Sequence, residues 1–212
     1  MIERCTGVIL AGGLATRYGG RAKGLERVGG RRVIDRVAEV LALATDDLLL
    51  IANDPAASGW LPGVRVESDV RPGSGSLGGI HAALSHAGGA VLVVAWDMPF
   101  VPGRLLEALR AVGEIADAAV PESDSRRGVE PLCAYYSERC LAPIERRLDI
   151  GDRRVVSFFE DVRIARLPAT EVATFGDPAL MFMNVNSPDE LALAEQHASS
   201  PDGGHSRPQA SR

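Results

Sequence analysis

Three stretches of the chain run apolar without alternation: Gly7–Leu10 in "GVIL", Asp47–Asn53 in "DLLLIAN" and Ala90–Ala95 in "AVLVVA". A strand with one face in water alternates apolar and polar residues, whereas one covered on both faces does not, so these runs predict strands in the interior of a sheet. Helical periodicity lies between them. "RVIDRVAEVLALA" carries Val33, Ile34, Val37, Val40 and Leu41 on one stripe, and "LGGIHAALSHAG" follows the loop "SDVRPGSGS". Such alternation of buried strands and helices is the pattern of an α/β fold with a mostly parallel sheet.

The alternation continues downstream. Helices are expected over "PGRLLEALRAV", "ERCLAPIERRL" and "DRRVVSFFED", and strands over Val64–Val66, "DAAVP", "PLCAYYS" and "VRIARLP", with a last strand or strand end at "MFMNVN". The final helix is the best marked: in "SPDELALAEQHA", Ser187 is an N-cap, Pro188 takes the first helical position and Glu190 completes a capping box. These elements predict a single Rossmann-like domain over residues 1–198, with helices on both faces of the sheet and ligands at the carboxyl ends of its strands. Residues 199–212, "SSPDGGHSRPQASR", offer almost no apolar side chain and are expected to form a disordered tail.

Composition narrows the classes of function. With 46% apolar and 24% charged residues the 212-residue chain has enough apolar material for a substantial core. A formal net charge of −5 argues against a chain-wide surface for nucleic acid or anionic membrane, so any phosphate site must be local. Cys5, Cys133 and Cys140 form no CxxC pair and no cluster of zinc-ligand spacing, which predicts buried, reduced thiols. No signal peptide or membrane span is evident, and a cytoplasmic location is expected.

Local positive charge appears beside the first strand. "LAGGLATRYGGRAKG" joins Gly12 and Gly13 to Arg17, Arg21 and Lys23. Glycines at a strand-to-helix turn let backbone N–H groups approach phosphate oxygens, and the basic side chains could neutralise them; a tight turn with surface cations has the same composition. The stretch lacks the GxxxxGK[ST] of a P-loop. "GSGSLG", Gly73 to Gly78, is formally GxGxxG with Asp97 about twenty residues on, yet "SDVRP" separates it from its strand, contrary to the dinucleotide-binding arrangement. In "VVAWDMP" Asp97 ends a central strand, where an α/β enzyme holds Mg²⁺ and where a turn-capping aspartate is also common.

Taken in order, "LAGGLATRYGGRAKG", "PGSGSLGGIHAAL", "VVAWDMPFVP", "EPLCAYYS", "GDRRVVSFF" and "FMNVNSPDEL" make the chain resemble the molybdenum cofactor guanylyltransferases of the nucleotidyltransferase superfamily, from about Gly7 to Ala198. The resemblance implies transfer of GMP from GTP·Mg²⁺ to the phosphate of molybdopterin or Mo-molybdopterin, with release of pyrophosphate. Carried onto matching positions, Leu10, Ala11, Gly12 and Gly13 would line the guanine and phosphate region, Lys23 and Arg17 would meet the phosphates, and Asn53 and Asp69 would seat the nucleotide. Asp97 would hold Mg²⁺. Asn184 and Asn186 match the acceptor side, although a polar junction before a helix explains them as well. Tyr18, Arg21-Ala22 and Trp96 depart from the family pattern. Molybdoenzymes or other cofactor-biosynthesis proteins are further expected partners. The competing readings are a CTP-dependent or sugar-phosphate nucleotidyltransferase and a non-catalytic nucleotide-binding chaperone of a molybdoenzyme.

Overall fold

The structure, a computed structural model, describes residues 4–12 and 23–199. Cys5–Ala11 (β1), Asp47–Ala52 (β4), Arg65–Glu67 (β5), Ala90–Ala95 (β6), Ala118–Pro121 (β7), Cys133–Tyr136 (β8) and Ile164–Leu167 (β9) form one seven-stranded sheet in the order β5-β4-β1-β6-β8-β7-β9. Only β8 runs against its neighbours in it. Arg27–Val28 (β2) and Arg31–Arg32 (β3) form a separate hairpin, whose turn puts both Gly29 and Gly30 at positive φ.

Both faces of the sheet are covered, which is why its central strands carry no polar alternation. Val33–Ala44 (α1) and Gly103–Gly113 (α3) lay Ile34, Val37, Leu41, Leu105 and Leu109 on the side of Ile9, Leu50 and Leu92. Gly75–Ala87 (α2) and Leu141–Asp149 (α4) bring Leu77, Ile80 and Ile144 to the opposite side, onto Val8, Leu10 and Val93. Adjacent residues of β1 therefore serve two cores. A third, small cluster joins Val28 and Val33 to Val185 and to Ala194 of Pro188–Ser199 (α7). All three cysteines are buried and none is in a disulfide; burial pushes the Cys133 thiol up and the Cys140 thiol up to about 12, so neither of these two is a ready nucleophile.

Two expected elements differ. Over "DRRVVSFFED" there is no α-helix but a series of turns ending in one 3₁₀ turn, Phe159–Asp161. The Asp152 carboxylate accepts the backbone N–H of Arg154 at 3.1 Å and its guanidinium at 2.6 Å, a local turn that competes with helix formation. Val155 and Phe158 are buried nonetheless, and their spacing of three imitates a helical stripe. "MFMNVN" is not a strand either: Met181 closes the short helix Pro178–Met181 (α6), and residues 183–186 run outside the sheet. Their anchor is the Val185 N–H, which donates 2.9 Å to the Asp97 carbonyl. The short helix Ala169–Val172 (α5) has no counterpart in the sequence reading. Helix α7 includes Ser199, the first residue of the expected tail, and the rest of that tail lies outside the described residues.

Candidate functional site

β1, β4 and β6 are parallel neighbours, with Ala11 opposite Ala52 and Leu10 opposite Ala95, so their carboxyl ends open at one edge. Just beyond those ends come Gly12, Asn53 and Asp97. The register of β1 and β6 extends one residue further, because the Trp96 N–H donates to the Leu10 carbonyl at 3.1 Å. The fold thereby brings Leu10, Ala11 and Gly12 alongside Asp97, although they are far apart in the chain.

Lys23 crosses to this edge from the 3₁₀ turn Lys23–Leu25. Its Nζ donates to Asp97 Oδ2 and to Asn186 Oδ1, making a knot of three residues drawn from three distant segments. The Asp97 side chain is 8% exposed and that of Lys23 18%, so the pair is mostly withdrawn from water. Asn186 is steadied from behind: its N–H donates to Glu190 Oε2 at 2.8 Å, and Glu190 also accepts from the Ser187 hydroxyl at 3.0 Å. The expected capping box is thus present, with the glutamate reaching the N–H one residue before the cap.

Asn53 and Asp69 form a second, reciprocal pair. Asn53 Nδ2 donates to Asp69 Oδ2 at 2.8 Å, while the Asp69 N–H donates to Asn53 Oδ1 at 2.9 Å, tying the end of β4 to the loop after β5. Asn184, by contrast, turns its amide back to the Phe182 carbonyl at 3.0 Å and takes no part in the Lys23 knot. Gly13 and Arg17 lie outside the described residues.

The sequence reading missed what supports this edge. The Trp96 ring stacks on Trp60 with centroids 5.1 Å apart, and Gly24 lies so close to it that a Cβ there would be 2.4 Å from ring carbon Cε3. The signal available was the placement of the two residues, since Gly24 directly follows Lys23 and Trp96 directly precedes Asp97.

Among the described residues no group of three or more His, Cys, Asp or Glu could hold a metal ion. A single buried carboxylate, already facing a cation, suits a magnesium ion that takes most of its ligands from nucleotide phosphates and water. His81 is buried on α2 with Nε2 3.3 Å from Glu145 Oε1 on α4, a helix-to-helix contact. Among the described residues, no helix is long and apolar enough to cross a membrane.

The family model described as the MobA-like NTP transferase domain matches residues 7–167. The chain is similar to the molybdenum cofactor guanylyltransferase of Desulfosudis oleivorans, with 34% identity over 197 residues that cover 92% of this chain and 96% of the relative. It is 38% identical over 192 residues to a probable molybdenum cofactor guanylyltransferase of Pelotomaculum thermopropionicum, covering 90% and 92% of the two chains. Among solved structures, molybdopterin-guanine dinucleotide biosynthesis protein A from Archaeoglobus fulgidus superimposes with a TM-score of 0.78 at 32% identity, covering 92% of this chain and 98% of that one.

Proposed function

Because the chain belongs to the MobA-like NTP transferase family, we propose that it transfers a guanylyl group from GTP to the phosphate of molybdopterin or its molybdenum-loaded form. The observation that carries this reading is the convergence of Lys23, Asp97 and Asn186 at the carboxyl edge of a parallel sheet, beside the strand end that carries Gly12. That edge is where α/β folds bind nucleotides.

The chemistry asks little of the protein beyond alignment and charge neutralisation. An oxygen of the acceptor phosphate attacks the α-phosphorus of GTP; the new P–O bond forms as the bond to the β-phosphate breaks, and pyrophosphate leaves with the electron pair. The acceptor oxygen is already anionic, so no base is required to activate it. Lys23 holds the triphosphate and meets the negative charge that builds on the leaving pyrophosphate, with Arg17 assigned the same task. Asp97 would hold Mg²⁺, which neutralises the triphosphate and lowers the barrier to its cleavage. Asn186, linked to Lys23 and fixed by Glu190, belongs on the acceptor side, whereas Asn184 is engaged with its own backbone. Leu10, Ala11, Gly12 and Gly13 would border the base and phosphates, and the Asn53–Asp69 pair offers a preformed polar wall for the nucleotide.

A direct assay decides the matter. The purified protein should release pyrophosphate from GTP and Mg²⁺ only when molybdopterin or Mo-molybdopterin is supplied, and a guanine dinucleotide product should accumulate in step. Nucleotide binding with no product under either acceptor would favour a binding module, and equal yield with CTP would remove the guanylyl specificity.

A further inference from the structure

Trp96 is 4% exposed and sits between two parts of the site. Its backbone N–H is bonded to the Leu10 carbonyl at 3.1 Å, and its ring lies against Gly24, where an added Cβ would come within 2.4 Å of Cε3 and 2.6 Å of Cδ2. Leu10 precedes the glycine-rich stretch and Gly24 follows it, so one residue touches both flanks of that stretch. The chain neighbours of these contacts, Lys23 and Asp97, are the ion pair.

Packing alone does not account for an indole at this position. A buried tryptophan ordinarily finds an acceptor for its N–H, and among the described residues Trp96 Nε1 has none. Phenylalanine or leucine would fill apolar space without burying that donor. What the indole adds is a broad flat face, stacked on Trp60 at 22° and wide enough to bear the bare backbone of Gly24.

We propose that Trp96 is a positioning residue, a clamp that holds both flanks of the glycine-rich stretch and so delivers the Lys23 ammonium to the Asp97 carboxylate. Lysine has a flexible four-carbon stem, and its ammonium is placed reproducibly only if the backbone beneath it is fixed. The inference rests on the nucleotidyl-transfer reading, in which Lys23 and Asp97 meet the triphosphate together; displacements of about 1 Å at such groups cost on the order of 10²-fold in rate.

The test compares full-length Trp96→Phe, Trp96→Leu, Gly24→Ala and the double variant Trp96→Leu/Gly24→Ala. Trp96→Leu and Gly24→Ala are each expected to slow transfer at saturating GTP by about tenfold or more, because the clamp acts on alignment rather than on ground-state affinity. Trp96→Phe keeps a flat face and should stay within about threefold of the native rate. In the double variant the added methyl enters space the ring has vacated, so part of the rate should return. A residue that only fills the core predicts otherwise: the saturating rate of the folded fraction would be native in every variant, and the double variant would show no recovery. That pattern overturns the proposal.

If Trp96→Leu does not fold, Trp60→Phe leaves Trp96 as the sole tryptophan of a chain that has two, and its emission can be followed directly. Inorganic tripolyphosphate is the probe, since it can engage Lys23 without a base or an acceptor. Emission that changes and saturates with tripolyphosphate supports the clamp, and a flat titration overturns it. The probe carries no guanine, so this result stands or falls independently of the guanylyl assignment.

Discussion

Lys23 and Asp97, 74 positions apart, meet as an ion pair at the carboxyl edge of the sheet, one from the turn after the glycine-rich stretch and the other from the end of β6. The contact balances a carboxylate that is only 8% exposed and would be costly to leave alone. In the reaction proposed above, the same two charges would be redistributed without being stranded: the ammonium to phosphate oxygens, the carboxylate to the cation. The pair describes a site whose electrostatics are balanced before the substrate binds and can remain so after.

Asp97→Asn removes the charge while keeping the shape. The Asp97 backbone carbonyl still accepts from Val185, so the 183–186 segment retains its anchor. Circular dichroism should report a folded protein, and pyrophosphate release should fall by about 10²-fold or more, the scale associated with losing a preorganised electrostatic group. Transfer at a near-native rate would remove Asp97 from the metal.

Lys23→Ala separates ground-state binding from transition-state stabilisation. If the ammonium acts on charge developing on the departing pyrophosphate, turnover should drop by roughly 10²–10³ with a smaller change in KM. A raised KM with an unchanged turnover would make Lys23 a simple anchor for the triphosphate.

The route from sequence to this site was uneven, and the reason is physical. The strands β1, β4 and β6 were legible because both of their faces are buried, which imprints continuous apolar runs on the chain. Lys23, Asp97 and Asn186 were legible one at a time, as members of separate motifs. The resemblance implied that Lys23 and Asp97 face one triphosphate, but their direct contact and the inclusion of Asn186 were not legible, since these depend on how segments distant in the chain fold together. Asn184 and Asn186 are alike in local sequence, yet only one reaches Lys23, a distinction set by the backbone between α6 and α7. At 152–161 Val155 and Phe158 are buried at helical spacing, yet the turn made by Asp152 prevails and the expected helix does not form.

Acid should act at the opposite edge. Asp117 stands just before β7 and accepts from the Arg163 N–H at 2.9 Å, from both arms of the Arg163 guanidinium and from Arg139. Hydrogen bonds from the Arg163 side chain, then from its N–H, bring the carboxyl down from 3.8 to about 2, with burial working the other way. A carboxyl depressed in the folded state binds its proton more tightly when unfolded, so its stabilising contribution is complete above about pH 4 and is lost as the pH falls toward 2. Asp117→Asn should lower the melting temperature at pH 7 by several degrees, for a loss of about 1–3 kcal/mol. It should also flatten the pH dependence of melting between about pH 4 and 2, while transfer at pH 7 stays native. Parallel melting profiles for the two proteins would assign the acid transition to other carboxylates.

Gly12 offers the cleanest test of how the base is chosen. Among the described residues a Cβ built at this position meets nothing within 4 Å and its φ is not positive, so Gly12→Ala asks no adjustment of them. The substitution therefore probes what binds against the end of β1, with the melting temperature as the control for an effect on the protein itself. Guanine presents N–H donors at N1 and N2 and an acceptor at O6, and a strand end can read that edge with backbone groups if no side chain intervenes. A methyl at position 12 would crowd the purine or shift its edge out of register, and a buried donor left without a partner costs about 1–3 kcal/mol, or one to two powers of ten in selectivity. A pyrimidine is smaller and should be hindered less. The native protein is therefore expected to prefer GTP to CTP, and Gly12→Ala to weaken use of GTP more than use of CTP, with an unchanged melting temperature. Competition between the two nucleotides, run on both proteins, measures the ratio directly; a ratio that the substitution does not move would mean that the base is read away from the end of β1.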